Sequence, residues 1–319
     1  VNMEIPKITV IMLTYNRKEY LNRSIESVLT QTYRNFDFII INNGSTDGTD
    51  EVVKQYAQED HRIKLIHVSE NRGAAVQRNN GINLAQTEFL TFVDDDDCCE
   101  PQMLEVLWNL ANEHQADISM CGSWNDFNGR LEPYFIFDEL LVLNKIHGLD
   151  ELLKREKYNV APPTKLFRKS LFDGIRFKEN VRVDDIHVIY KVFTNATTVV
   201  AQGVPLYRFT KHGGNMTSFI HNNSLSPAIL EEYLSAFRER TEYLSKKVPE
   251  IAPRAKYSEL SYMISMCDKI IQNCITDCLS LYNRMVETLY RNIDELNRST
   301  FLTEREKNIL QRVTINKVK

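Results

Sequence analysis

No apolar run in the chain approaches the roughly 18–20 residues that cross a bilayer, and no charged-then-apolar leader precedes a cleavage site. The expectation is a cytoplasmic protein, at most in peripheral contact with the inner face of a membrane. There is no surplus of basic residues. Lys and Arg number 39 against 43 Asp and Glu, a formal charge of −4, which argues against binding nucleic acid through bulk charge. The six cysteines have no paired metal spacing: Cys98 and Cys99 are adjacent, Cys121 is alone, and Cys267, Cys274 and Cys278 fall at helical intervals. Zinc and disulfides therefore give way to core positions in a reducing compartment. No Gly-x-Gly-x-x-Gly follows the first apolar run, which removes a nicotinamide dehydrogenase. Glycine is scarce, and none occurs after Gly214.

What is present is an alternation. Residues 7–13 are almost continuously apolar, as in a parallel strand buried on both faces. Residues 18–32 carry Tyr20, Leu21, Ile25, Val28 and Leu29 at helical spacing. Strands are expected at 36–41, 63–68 and 88–93, and helices at 51–58 and 74–85. Strand–helix repeats of this length build βαβ units and a parallel sheet. Ligands of such sheets sit beyond the carboxyl ends of the strands. The polar segments 14–17, 42–47 and 94–97 each follow a strand, so they share one rim. Beyond them, a helix is expected at 101–113, a strand at 117–123, an irregular aromatic stretch at 124–144, a helix at 149–157 and a helix from Asp184 to Phe193. Two strands are expected at 197–201 and 204–209.

The rim's main feature is Asp94-Asp95-Asp96-Asp97 after the strand Phe89-Leu-Thr-Phe-Val93. Gathered carboxylates raise one another's proton affinity unless a cation neutralises them. A hard divalent ion such as Mg²⁺ or Mn²⁺, which also takes phosphate oxygens, is the natural partner. The plainer alternative is a solvated turn that caps the following helix.

Four motifs stand in order: Thr14-Tyr15-Asn16-Arg17; Asn43-Gly-Ser-Thr-Asp47-Gly-Thr; Asn71-x-Gly73 with Arg78-Asn79-x-Gly81; and Asp94-x-Asp96-Asp97. They resemble those of family 2 glycosyltransferases over residues 5–215, and Lys165-Leu-Phe-Arg-Lys and the pair Asp184-Asp185 match that family's second half. The resemblance implies an α/β GT-A fold, a Rossmann-like nucleotide-binding sheet flanked by helices. It implies an inverting hexosyl- or N-acetylhexosaminyltransferase that uses a UDP-sugar and Mn²⁺ or Mg²⁺. Donor contacts are expected from Thr14, Tyr15, Arg17, Asn43, Asp47, Arg78, Asp94, Asp95 and His212. Tyr15 would lie against the uracil and Asn43 would read its edge, where the family usually has Asp. Asp96 would bind the metal directly with Asp94 beside it, while Asp94 and Asp95 also reach the ribose; Asp97 resembles a helix-capping acid. Of Asp184 and Asp185, the second is the expected catalytic base. The acceptor would be a glycan, a glycoprotein or a lipid-linked glycan, as in the family's bacterial surface polysaccharides. A catalytically silent GT-A-like scaffold is the rival, kept open by Asn43 and opposed by Asp94, Asp96 and Asp185.

The expected organisation is a catalytic domain at 5–224, with a nucleotide-sugar half at 5–123 and an acceptor half at 124–224, followed by a helical region at 225–319. In the latter, Leu260, Met263, Ile264, Cys267, Ile271, Cys274, Cys278, Leu281, Met285 and Leu289 form one stripe over about thirty residues, long for a globular helix. Such a stripe suggests core packing or a homo-oligomer.

Overall fold

The structure is a computed structural model that describes residues 7–215 and 225–315. The chain divides into two compact units after His212. The expected boundary after residue 224 falls at the end of residues 216–224, which lie outside the described residues.

In the first unit, β1 (Ile8–Thr14), β2 (Phe36–Asn43), β3 (Ile63–Val68) and β4 (Phe89–Phe92) alternate with α1 (Lys18–Leu29), α2 (Thr49–Glu59) and α3 (Ala74–Leu84). All four strands are parallel, in the order β3-β2-β1-β4. Their β-branched and aromatic runs are buried on both faces because helices cover them: Ile8, Val10, Met12, Phe38 and Ile40 pack with Leu21, Ile25 and Val28 of α1 and Val53 of α2. On α3, a Cβ on Gly81 would stand 2.6 Å from Ile11 Cγ2. Glycine is what lets that helix lie on β1.

The sheet continues β9-β6-β10-β5 beyond β4. Here β5 (Cys98–Cys99), α4 (Met103–Glu113), β6 (Ile118–Phe127), β7 (Arg130–Tyr134), β8 (Leu140–Asn144), α5 (Lys145–Lys154), β9 (Lys165–Arg168), α6 (Ile189–Asn195) and β10 (Thr198–Thr210) complete the unit. β9 runs antiparallel to both β4 and β6, and β10 is parallel to β6.

Three local expectations change. The stretch 124–144 is ordered into strands: β6 runs on to Phe127 and turns at Asn128-Gly129 into β7. Both turn residues have positive φ, +57° and +92°, as an Asn-Gly hairpin turn requires. The strands expected at 197–201 and 204–209 are one strand, whose register against β6 slips twice around Pro205; proline has no N–H for the ladder, so the strand bulges there rather than ending. Asp184 opens no long helix: a short turn at Asp185–His187 precedes α6.

The second unit contains α7 (Pro227–Lys247), α8 (Ala252–Gln272), α9 (Leu279–Arg291), α10 (Ile293–Arg298) and α11 (Glu304–Thr314). Ser226 caps α7, and Thr303 with Glu306 forms a capping box on α11. The stripe over 260–289 is not one helix. It breaks after Gln272, where Cys274 takes φ +51°, and resumes in α9. Leu260, Met263, Ile264 and Cys267 then pack in one cluster with Met285, Leu289, Ile309 and Leu310. Most of the stripe that suggested a homo-oligomer is thus interior to this unit. No helix among the described residues is long and apolar enough to cross a membrane.

Candidate active site

Because β1, β2 and β4 are parallel, their carboxyl ends deliver Thr14, Asn43 and the acidic turn to one edge of the sheet. The four acids then diverge. Asp94 keeps a 41% exposed side chain beside Arg78, whose Nη2 lies 3.8 Å away. Asp95 is buried, with Arg17 Nε at 3.8 Å. Asp96 Oδ2 is 2.9 Å from His212 Nε2 and 3.9 Å from Arg17 Nη2. The His212 ring stacks on Tyr20 with centroids 4.6 Å apart. Asp97 is no helix cap. It accepts hydrogen bonds from the Tyr207 hydroxyl at 2.8 Å and the Thr210 N–H at 2.7 Å, which tie the turn to β10. The Tyr207 hydroxyl in turn accepts the Asp94 N–H at 3.1 Å. Burial first, and then mutual repulsion, push Asp97 well above the usual carboxylate range and Asp95 up to about 8, with the Thr14 hydroxyl and Arg17 opposing the shift at Asp95.

The second acidic pair splits more sharply. Asp184 is clamped by Arg78 Nη1, 2.5 Å and 2.6 Å from its two oxygens, and both side chains are largely buried. Phe177 lies under that guanidinium, 5.5 Å from its centre. Asp185 is different: its Oδ1 is enclosed and accepts no hydrogen bond. Burial, and then the neighbouring Asp184 charge, push it up to about 6, against the pull of Arg78 and Arg155. Lys165, fully buried at the start of β9, donates to the Ala161 carbonyl at 2.7 Å. Burial pulls it down to about 7, while Cys121 and Asp185 work the other way.

The loops after β1 and β2 hold one another. Asn16, at φ +51°, accepts the Thr46 N–H at 2.8 Å, and its own N–H reaches the Ser45 hydroxyl. Asp47 accepts the Thr49 N–H and hydroxyl with one oxygen and the Lys18 N–H with the other. Desolvation notwithstanding, these bonds hold it below its ordinary range. Asn43 is buried. Its Oδ1 accepts the Arg72 N–H at 3.1 Å and Gln77 Nε2 at 3.0 Å, and its Nδ2 donates to Asn71 Oδ1 at 2.9 Å.

Comparison with known proteins gives this geometry its family. The sequence model described as Glycosyl transferase family 2 matches residues 9–176, more than half of the chain. The chain belongs to glycosyltransferase family 2. Among curated relatives, GlyG of Streptococcus pneumoniae is 28% identical over 76% of this chain and 80% of its own length. GlyA of the same organism is 30% identical over 66% of this chain but only 31% of GlyA. The fold matches the crystal structure of S. aureus TarS residues 1–349 in complex with UDP-GlcNAc: TM-score 0.60, 21% identity, over 92% of this chain and 91% of that one. The fold is GT-A, and the chain is a glycosyltransferase.

In this glycosyltransferase the structure brings Arg17, Arg78, Asp94, Asp95, Asp96, His212, Asp184 and Asp185 together by the contacts above. Thr14 borders Asp95, and Tyr15 stands 43% exposed on the rim. Two expected donor residues are used differently. Both oxygens of Asp47 accept hydrogen bonds that tie the two loops, from Lys18 and from Thr49. Asn43 has both acceptor directions of its Oδ1 filled, so what it keeps toward a ligand is one N–H. Sequence reasoning gave Tyr207 no place, and named Lys165 only as the head of a family-like segment without a role of its own. The signal for Lys165 was a charge at the head of an apolar strand; Tyr207, two residues from Phe209 in an alternating strand, gave none that separates it from core.

Proposed function

We propose that this glycosyltransferase moves a sugar from a UDP-sugar to an acceptor hydroxyl with inversion, using Asp185 as base and a divalent cation at the acidic turn. One observation carries the reading: of two adjacent acids, Arg78 neutralises Asp184, while Asp185 keeps an enclosed, unpaired oxygen and a raised proton affinity. A general base works best when it titrates near the operating pH. The Asp185 carboxylate accepts the acceptor's hydroxyl proton as that oxygen attacks the anomeric carbon and the bond to the diphosphate breaks. Arg78 holds Asp184 and so fixes the turn that presents Asp185. Its flank toward Asp94 places permanent positive charge beside the donor phosphates.

The donor set fits a hard metal ion. Asp96 and His212 adjoin, and Asp94 is the acid whose side chain opens to solvent. Among the described residues, no three His, Cys, Asp or Glu side chains form a ready-made cage. Mg²⁺ or Mn²⁺ would complete its ligands with phosphate and water, and would offset the charge that builds on the leaving diphosphate. The TarS complex with UDP-GlcNAc supports a UDP-sugar as donor. We assign a glycan, glycoprotein or lipid-linked glycan as acceptor.

The test is UDP release from UDP-glucose, UDP-galactose and UDP-GlcNAc with Mn²⁺, Mg²⁺ or EDTA, followed by NMR of the product anomer. Metal-dependent release with inversion at the anomeric carbon is expected. Equal release in EDTA, or a retained anomer, overturns the proposal.

A further inference from the structure

Residues 134–137 are laid across the sheet where two glycines leave room. A Cβ on Gly122 of β6 would stand 2.6 Å from the Phe135 carbonyl oxygen, and a Cβ on Gly203 of β10 would stand 2.2 Å from the Phe137 nitrogen. Neither position admits a side chain without moving that segment. Phe135 itself sits in the left-handed region at φ +60°, where a bulky residue is strained. Strain of this kind persists only where surrounding structure imposes it, and it gathers at functional sites. Here it sets an aromatic row. The Phe135 and Tyr134 rings are 4.1 Å apart, and Tyr134 meets Phe209 edge-on at 5.9 Å.

Strand register keeps Tyr134 and Phe209 on one face, and the close ring contact brings Phe135 beside Tyr134. Tyr134, Ser123 and Tyr207 lie opposite one another across β7, β6 and β10, and Glu132, Asn125 and Phe209 do so two residues along. Phe209 packs on Tyr207 at 4.8 Å, and Tyr207 is bonded to Asp97, so the row begins at the acidic turn. Lys211 Nζ lies 5.3 Å from the Phe209 ring centre. Tyr134, Phe135 and Phe209 are only half-buried. The Tyr134 hydroxyl accepts from Asn159 Nδ2 at 3.0 Å, and its own proton goes to no described residue. Burial first pushes the Tyr134 hydroxyl above its ordinary range, with Arg155 and Asn159 opposing and the Asp185 carboxylate adding to the shift.

We propose that Tyr134, Phe135 and Phe209 form the acceptor subsite, an aromatic face that takes a pyranose ring of a glycan. The Tyr134 O–H meets the ring's hydroxyls. A pyranose offers one face of C–H groups to an aromatic ring and a rim of hydroxyls to polar groups, which matches an aromatic row carrying one donor, the Tyr134 O–H. The assignment rests on Asp185 as the base, because the hydroxyl it deprotonates belongs to the ring seated here.

Saturation-transfer NMR on the full chain with UDP and diamagnetic Mg²⁺ tests it, using methyl glucoside, methyl galactoside, methyl N-acetylglucosaminide and, as a ringless control, sorbitol. At least one pyranoside should receive saturation through one ring face. Tyr134→Ala and Phe209→Ala should abolish that signal with the Kd for UDP changed less than about twofold. Tyr134→Phe should keep the signal and weaken binding by about three- to tenfold, as loss of one hydrogen bond does. No pyranoside signal with the wild-type chain, equal saturation of sorbitol, or an unchanged signal in Tyr134→Ala overturns the proposal. Failure of Asp185 as base would instead appear as transfer retained in Asp185→Asn, with the pyranoside signal untouched.

Discussion

Replacing Asp185 with asparagine removes a carboxylate with one enclosed oxygen that accepts no hydrogen bond, and its effects on rate and on stability have opposite signs. Asparagine cannot take a proton from the acceptor, so transfer should fall by about 10²–10⁴-fold, the usual contribution of a positioned base. UDP binding should remain, because Arg78 stays clamped to Asp184. In the unaltered enzyme, kcat/KM should rise with pH through the Asp185 titration, half-maximal near pH 6. Below that point it should fall about tenfold per pH unit, because only the ionised form is a base.

Stability runs the other way. The folded-state pKa of Asp185 is raised from 3.8 to about 6, so the folded protein binds its proton more tightly than the unfolded chain does. The ionised carboxylate therefore weakens the fold. The cost is absent below about pH 4, grows between pH 4 and 6, and is complete above pH 6. It amounts to roughly 2–3 kcal/mol, at 1.36 kcal/mol per pKa unit. Asp185→Asn should accordingly raise Tm at pH 7.5 and leave it unchanged at pH 4. Stopped assays of UDP release between pH 5 and 8, with calorimetry at both pH values, read the two effects. A rate profile that stays flat down to pH 5, or full transfer by the asparagine variant, would refute the argument.

Asp184→Asn should do the reverse of its neighbour's change: it leaves the buried Arg78 guanidinium without its anion and should cost about 3–5 kcal/mol in denaturant unfolding, with no gain at any pH. Gly81→Ala should cost about 1–3 kcal/mol by driving a methyl into Ile11; an unchanged Tm would show that α3 is free to lift from β1. Asn43→Asp should lower Tm and leave the Kd for UDP unimproved in calorimetric titration. A tighter complex would mean that position 43 does read the base through an acceptor.

Much of the catalytic fold is legible because burial on both faces leaves an unmistakable pattern. Residues 7–13 and 36–41 read as strands of a parallel sheet, so their polar exits had to share a rim; the strands themselves run on to Thr14 and Asn43. The hairpin at Asn128-Gly129 went unread although its turn chemistry stands in the sequence, because the aromatic residues around it concealed two strands. The break in the stripe over 260–289 was not legible. Cys274 turns the chain without glycine or proline, and helical periodicity continues on both sides. Within the site, residue types are visible in sequence and their partners are not. Four identical acids in a row carry no mark of which one meets Arg78, His212 or Tyr207, because those partners arrive from β10 and α3.

Asn43 shows how a departure from a family pattern becomes intelligible only through such partners. The family usually carries an acid at that position. Here Nδ2 of Asn43 donates to Asn71 Oδ1, and that oxygen is fixed in place by the Gly73 N–H at 2.9 Å. An aspartate would turn a carboxylate oxygen toward Asn71 Oδ1, two acceptors face to face in a buried position, with Gly73 preventing the amide from flipping. The Arg72 N–H fixes the Asn43 carboxamide in the same way. Two backbone donors thus set both amides, and the neutral residue at 43 matches Asn71 rather than marking a lost function. The departure is local and compensated, and it leaves the acidic turn, Arg78 and Asp185 as they are, which is why it does not argue for a silent scaffold.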